Sequence, residues 1–211
     1  MSRPPYQVTD VAVGKITTKL RREFRHNRLA LFDEMNVVQI KKHIGKLYKS
    51  AYNIIKGEFA AIINPVIQGI EEEAIDMGFD GDIRDLDEAW IEEFFDEYNP
   101  VTKYVFSNEL DRKESRLFEA LVSNVEERHK SYQTAENLLV RQVKQYAIDL
   151  EDAIAKVVYE DSDVKKVQWN AENDHRTCDI CGELDGMIFE LKDAPPKVHI
   201  NCRCWYTPVK G

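Results

Sequence analysis

Residues 169–204 read WNAENDHRTCDICGELDGMIFELKDAPPKVHINCRC, and the fold is read outward from this stretch. It holds all four cysteines of the 211-residue chain, at 178, 181, 202 and 204. Cysteines gathered into one short segment point to a bond, either to a metal or to another sulfur. The Cys178-x-x-Cys181 spacing lets two thiolates converge on one ion in a tight turn, and Gly182 offers the left-handed backbone that such a turn often uses. The second half supplies His199, Cys202 and Cys204. In a strand, Cys202 and Cys204 point to the same face, so both can reach one ion. A tetrahedral zinc takes four nitrogen or sulfur ligands, so five donors stand for four places. The spacing favours Cys178, Cys181 and Cys202, with Cys204 or His199 as the fourth. Two disulfides, or four plain thiols, stay open as alternatives, because local spacing does not decide between them.

The surrounding residues read as a small α+β unit. Val167-Gln168-Trp169 is a short strand, and Leu184 to Phe189 is a turn feeding another, with Asp185-Gly186 as the hairpin turn. Pro195-Pro196 imposes an extended approach to His199. A unit of this size buries little apolar surface, and a structural metal would supply the missing stability.

The order Trp169, Asp174, Arg176-Thr177-Cys178, Cys181, Leu184-Asp185-Gly186, Phe189, Pro195-Pro196, His199, Asn201-Cys202-Arg203-Cys204 resembles the C-terminal signature of the phage Mu protein F-like family. These are phage minor head proteins, also called head morphogenesis proteins. The chain departs from the family pattern at Ile200, where the family has proline, and it lacks a clear Arg-Thr-Glu before the preceding helix. The resemblance spans about 40 residues closely and about 100 loosely, and its specificity lies in the combination rather than in any one piece. It implies a non-enzymatic capsid protein acting in head morphogenesis. Its partners would be the portal and other head proteins, with an influence on DNA packaging or ejection. It would occupy the host cytoplasm during assembly and afterwards the virion, in the capsid interior or at the portal vertex. Neither a membrane nor a small-molecule substrate enters this reading.

Composition agrees with a folded, water-exposed chain: 43% hydrophobic, 32% charged, net charge −9. No apolar run approaches the ~18 residues of a membrane span. Met1 to Pro5 lacks the apolar core of a signal peptide, so the expected folding compartment is a reducing cytosol, which favours metal over disulfide. The acidic balance argues against a globally basic nucleic-acid binder and leaves room for a local patch.

From the start of the chain, residues 1–10 are expected as a loose arm and 11–163 as a helical region, with 164–211 as the Cys-rich module. The first helix, from Val11 to about Leu31, is basic through Lys15, Lys19, Arg21, Arg22, Arg25 and Arg28. Arg21, Arg22 and Arg25 are candidates for DNA phosphates or an acidic protein surface. Asp33 is the expected cap of a second helix carrying Val37, Ile40, Ile44, Leu47, Ala51 and Ile54 on one face. Asn64-Pro65 breaks it and opens a third segment, to about Met77. Residues 71–97 carry thirteen acids and one base, Arg84. Their Asp80-Gly81-Asp82 fails the EF-hand spacing. Ala89 to Tyr98 reads as a short aromatic helix capped by Asp85 or Asp87. Leu110, Leu117, Leu121 and Val125 form one more stripe. After a break near 131–134, Leu139, Val143, Tyr146, Leu150, Ala153 and Val157 form the longest seam. The expected class is therefore mainly α, with a zinc-stapled α+β module at the C-terminal end.

Two other functions compete with the structural role. A nuclease of the HNH kind would use His175, His199 and Asn201, but Asp174-His175 precedes the first cysteine pair instead of lying between the pairs. A nucleic-acid-binding zinc module needs a basic surface, and residues 165–211 balance seven bases against seven acids. On the structural reading, Arg176 and Arg203, which flank cysteines, are candidates to contact a carboxylate or phosphate of a partner.

Overall fold

Apolar residues at helical spacing build most of this protein. The computed structural model describes residues 4–28, 35–96, 98–99, 104–200 and 202–210. The chain is mainly helical, with a small antiparallel sheet and the cysteines near its C-terminal end. The helices are α1 (Pro4–Arg28), α2 (Val37–Ala60), α3 (Ile63–Asp76), α4 (Glu88–Asp96), α5 (Phe106–Ser123), α6 (Arg128–Asp161) and the short α7 (Asp179–Leu184). Strands β1 (Tyr98–Asn99) and β2 (Tyr104–Val105) pair antiparallel ahead of α5. Strands β3 (Lys166–Asn170), β4 (Ile188–Glu190) and β5 (Trp205–Val209) form the C-terminal sheet, in the order β4-β3-β5.

Helix α1 packs against α6, α2 and α3, so its stripe of Ala12, Ile16, Leu20 and Phe24 is buried. The expected arm over residues 1–10 is helix from Pro4 onward. Prolines in a first turn cost no ladder bond, because amides there have no intrahelical acceptor, and the buried Thr9 extends the stripe. Helix α2 starts with a capping box: the Asn36 side chain accepts from the Gln39 amide at 3.0 Å, and the Asn36 amide donates to the Gln39 side chain at 2.9 Å. The cap expected at Asp33 lies outside the described residues. Helix α3 begins at Ile63, with Pro65 in its first turn, as the Asn64-Pro65 break requires.

In α4, the Asp87 carboxylate accepts from the Trp90 amide at 3.0 Å. Ile91 and Phe95 enter the core, where the Phe95 ring lies 4.6 Å from that of Phe106. On α5, Leu110, Leu117 and Leu121 are buried, whereas Val125 lies past the helix end and is exposed. Helix α6 continues through the break expected near 131–134, because Tyr132 is buried there and its hydroxyl donates to the Phe24 carbonyl at 2.8 Å. Its seam starts as expected, with Leu139, Val143, Tyr146 and Leu150, then passes to Ile154 and Val158 in place of Ala153 and Val157. A straight helix of 3.6 residues per turn drifts away from a strict seven-residue repeat, and the buried face drifts with it.

Strand β3 is the centre of the sheet. Val167 faces Phe189 on β4 and Pro208 on β5, and Trp169 faces Tyr206. Pro208 is tolerated because β5 is an edge strand. Val167 and Trp169 share a face, and both are fully buried. Val164 and Val167 join the main helical core, while Trp169 belongs to a second cluster with Ala171, Cys181, Cys202 and Cys204. The Tyr159 hydroxyl on α6 donates to the Tyr206 carbonyl at 3.0 Å, fastening the sheet to the long helix.

The loop between α3 and α4 is latched to the end of α6. The Asp161 carboxylate accepts from the Arg84 amide at 2.9 Å and from Arg84 Nε at 3.0 Å. These bonds hold its carboxyl below the usual aspartate range, mainly through the Arg84 side chain. A Cβ on Gly81 would sit 2.2 Å from the Asp161 carbonyl oxygen and 2.6 Å from Ser162 Cα, both backbone atoms. Gly81→Ala is expected to destabilise the chain by about 1–3 kcal/mol in urea denaturation, through overpacking. Asp161→Asn tests the latch by pH. A depressed folded pKa adds stability that is fully present above the unfolded value of about 3.9 and is lost as pH falls through the folded pKa. The variant should therefore be less stable than the parent at pH 7, with the gap between urea midpoints closing in acid below pH ~4.

Candidate metal centre

Beyond β3 the chain turns twice before reaching its first cysteine. Asp185 holds the first turn: its carboxylate accepts from the Ala171 amide and from the Asn173 side chain, each at 2.7 Å. The second is a tight turn in which the Thr177 amide donates to the Asp174 carbonyl at 3.0 Å and the Asp174 amide to the Thr177 hydroxyl at 3.1 Å. This delivers Cys178 to the N-cap of α7, where its sulfur accepts from the Cys181 amide at 3.4 Å. The Cys-x-x-Cys spacing is thus one helical turn, which sets the two side chains next to each other. Gly182 lies inside α7 and takes no left-handed conformation; the positive φ, 78°, belongs to Gly186. Asp185-Gly186 joins α7 to β4, so it is not a hairpin turn between paired neighbours. It still aligns the sheet, with the Gly186 amide donating to the Trp169 carbonyl at 2.8 Å.

All five predicted donors come together. Cys178, Cys181 and His199 form one group, and Cys181, Cys202 and Cys204 a second, with ligand atoms inside each group within 4.8 Å of one another. Cys181 belongs to both. Its sulfur lies 3.6 Å from that of Cys202 and 3.3 Å from His199 Nε2. Cys202 and Cys204 lie just ahead of β5 instead of within a strand, and both are buried.

These spacings fit a tetrahedral ion. Zn–S bonds of about 2.3 Å and a Zn–N bond of about 2.0 Å put sulfurs roughly 3.8 Å apart and a sulfur and nitrogen roughly 3.6 Å apart. A disulfide needs sulfurs at about 2.05 Å, and all four cysteines are free. His199 Nδ1 is 3.0 Å from the Ile200 carbonyl, which can only accept, so Nδ1 carries a proton and Nε2 faces the sulfurs. The Trp169 indole N–H is buried in the same cluster without a hydrogen-bond partner.

The protonation pattern points the same way. Cys202 is pushed down to about 5, chiefly by the Cys204 thiol donating to it, and burial opposes this. Cys204 is pushed far up, because its proton is held against Cys202. Cys181 is pushed up to about 12 by burial and by Cys178, whose own value is lowered by the Cys181 amide. Close sulfurs share protons in this way because several bare thiolates repel one another. A bound dication removes that repulsion and lets all its ligands ionise.

Two features were not visible in the sequence. Lys197 is buried, with its ammonium 3.1 Å from Asp152 on α6, donating to the Cys204 carbonyl, and lying 5.6 Å from the Trp169 ring centroid and 5.7 Å from that of Tyr206. A single lysine after two prolines carries no local signal of such a place. The other is Asp174, whose carboxylate pairs with Arg203 and sits 3.5 Å from Arg176 Nε. These ionic bonds hold the Asp174 carboxyl well below the usual range, mainly through Arg203. Arg203 thus has a partner inside the chain, and it ties the turn before Cys178 to the segment carrying Cys202 and Cys204. His175 is exposed and stands outside both donor groups. Arg21, Arg22 and Arg25 are exposed on α1.

Residues 115–207 match the family model described as phage Mu protein F like protein. This stretch is a phage Mu protein F-like domain. It takes in the C-terminal half of α5, all of α6, β3, β4, the first three residues of β5 and the five donors. The family comprises the minor head proteins of phage head morphogenesis, generally structural head proteins, whose partners are other virion proteins. No curated protein and no solved structure matches the chain. No helix among the described residues is long and apolar enough to cross a membrane.

Because Cys181 is common to both donor groups, Cys181→Ser should abolish tight metal binding. Cys204→Ser and His199→Ala should separate, with the true fourth ligand costing about 10-fold or more in affinity and the other little. Titration with cobalt(II), followed by its thiolate charge-transfer absorption, reads both outcomes.

Proposed function

We propose that this chain is a non-enzymatic minor head protein whose C-terminal module is stapled by one structural zinc and whose helical surfaces engage the portal and other head proteins. The observation that carries the reading is the convergence of five cysteine and histidine donors on Cys181 inside the Mu F-like stretch. Cys178, Cys181 and Cys202 hold the ion, with Cys204 or His199 completing the tetrahedron. Bound there, zinc supplies cross-linking to a part of the chain whose own buried cluster is small.

The division into a helical region, 11–163, and a Cys-rich module, 164–211, belongs to the same proposal; the module keeps a cluster of its own around Trp169 and the cysteines, while its Val164 and Val167 pack into the helical core. The exposed arginines of α1, Arg21, Arg22 and Arg25, are offered to DNA phosphates or to an acidic face of a head protein. The protein would act in the host cytoplasm during assembly and then within the virion, near the portal vertex, with an effect on DNA packaging or ejection.

Elemental analysis of protein purified under reducing conditions is expected to find about one equivalent of zinc, as a four-ligand site holds. Chelation should lower the thermal midpoint and leave most helical circular dichroism in place, since the main core does not include the donors. Co-expression with the portal protein of the same phage should yield a complex. Plasmid incubated with the protein and Mg²⁺ or Mn²⁺ should stay intact. Cleavage that disappears in His175→Ala would replace the structural reading with a nuclease.

A further inference from the structure

A cavity of about 250 Å³ lies between α2, α5 and α6, away from the cysteines. Tyr48, Leu117, Ala135 and Leu138 give it an apolar wall. Tyr48 is only 3% exposed, and its hydroxyl is fully buried without a hydrogen-bond partner. Its ring, not its hydroxyl, is therefore what it presents to the cavity. Burial and the charge of Glu114 push this phenol well above its ordinary value, so near neutral pH it keeps its proton and adds no charge to the cavity wall.

The rim is cationic. Lys113, Arg116 and Lys130 border the cavity, together with one acid, Glu127. Lys113 lies 3.8 Å from Glu109, and Lys130 lies 3.6 Å from Glu127. Arg116 has no ion pair among the described residues. One guanidinium left without a counter-charge matches one negative charge, and its planar fork suits a carboxylate. A doubly charged phosphate would find too little positive charge here and too much apolar wall.

We propose that this cavity binds a monocarboxylate carried on an aromatic or branched aliphatic body. Arg116 holds the carboxylate, and the apolar wall, with the Tyr48 ring in it, takes the body. A 150 Å³ apolar cavity holds a benzene, so about 250 Å³ suits a ligand of roughly ten non-hydrogen atoms, the size of phenylacetate. The same chemistry arrives either as a free acid or as the C-terminal phenylalanine or leucine of another polypeptide. The inference stands apart from the zinc and portal readings, because neither contributes a residue to the cavity.

The test uses the isotope-labelled full chain, with amide chemical shifts followed during titration. The probes are phenylacetate, 4-methylpentanoate, the neutral phenylacetamide, and a Gly-Gly-Phe peptide with a free or an amidated C-terminus. The expected result is saturable shifts confined to the cavity-facing turns of α2, α5 and α6, with the acids at least tenfold tighter than their amides. Arg116→Gln should weaken the acid about tenfold and leave the amide unchanged, as loss of one charge-assisted bond requires. Tighter binding of the free-ended peptide than of phenylacetate assigns a polypeptide terminus as the ligand, and the reverse order assigns a free acid; either supports the site. Equal affinity for acid and amide, shifts elsewhere on the chain, or no saturable binding of any probe at millimolar concentration overturns it.

Discussion

Cys181 is buried, and its sulfur faces Cys202 at 3.6 Å and the His199 ring at 3.3 Å. Around that atom the last forty-odd residues are arranged. The cluster it belongs to is small, and one side of β3 depends on it through Trp169. Three short strands with so little covered surface do not hold together by apolar burial alone. Ionic and polar bonds brace the same place: Asp174 to Arg203, Asp185 to the Ala171 amide, and Lys197 to the Cys204 carbonyl. Each of them fixes a segment that carries a donor, so the sulfurs are positioned before any ion has to do it.

Helix α6 transmits that geometry to the rest of the molecule. It packs on α1, α3 and α5, and its last turns reach the sheet through Tyr159 and the buried Lys197–Asp152 pair. The Mu F-like match runs through all of it, so the family's domain includes the helix as well as the cysteines. Residues 162–165 join the end of this 34-residue helix to β3. The acidic loop around residues 77–87 is drawn onto the same helix end by Arg84 and Asp161, which places its remaining carboxylates on the surface beside the module.

Much of this was legible in one dimension. The stripes on α2, α5 and α6 follow from apolar spacing, Pro65 marks the start of α3, and the β3 strand and all five donors are plain in the final segment. What misled was local as well. Pro4 and Pro5 suggested an arm although a first turn accepts them, and Gly182 suggested a left-handed turn although it lies in a helix. A strict seven-residue rhythm on α6 gave way to the 3.6-residue period of a straight helix, which moved the buried face to Ile154 and Val158.

Sequence alone determined the helical class, the cysteine-and-histidine donor set and the family resemblance, because periodicity, capping and ligand spacing act between near neighbours in the chain. Tertiary structure decided the rest. It made Cys181 the shared donor, gave Arg203 to Asp174, buried Lys197 beside the Trp169 and Tyr206 rings, joined Arg84 to Asp161 across 77 residues, and set Arg116, with no ion pair among the described residues, beside the Tyr48 ring at one cavity. Those outcomes depend on which helix faces lie against one another, and the energy of a charge or hydroxyl is set by its surroundings after packing. No window of residues along the chain contains that information.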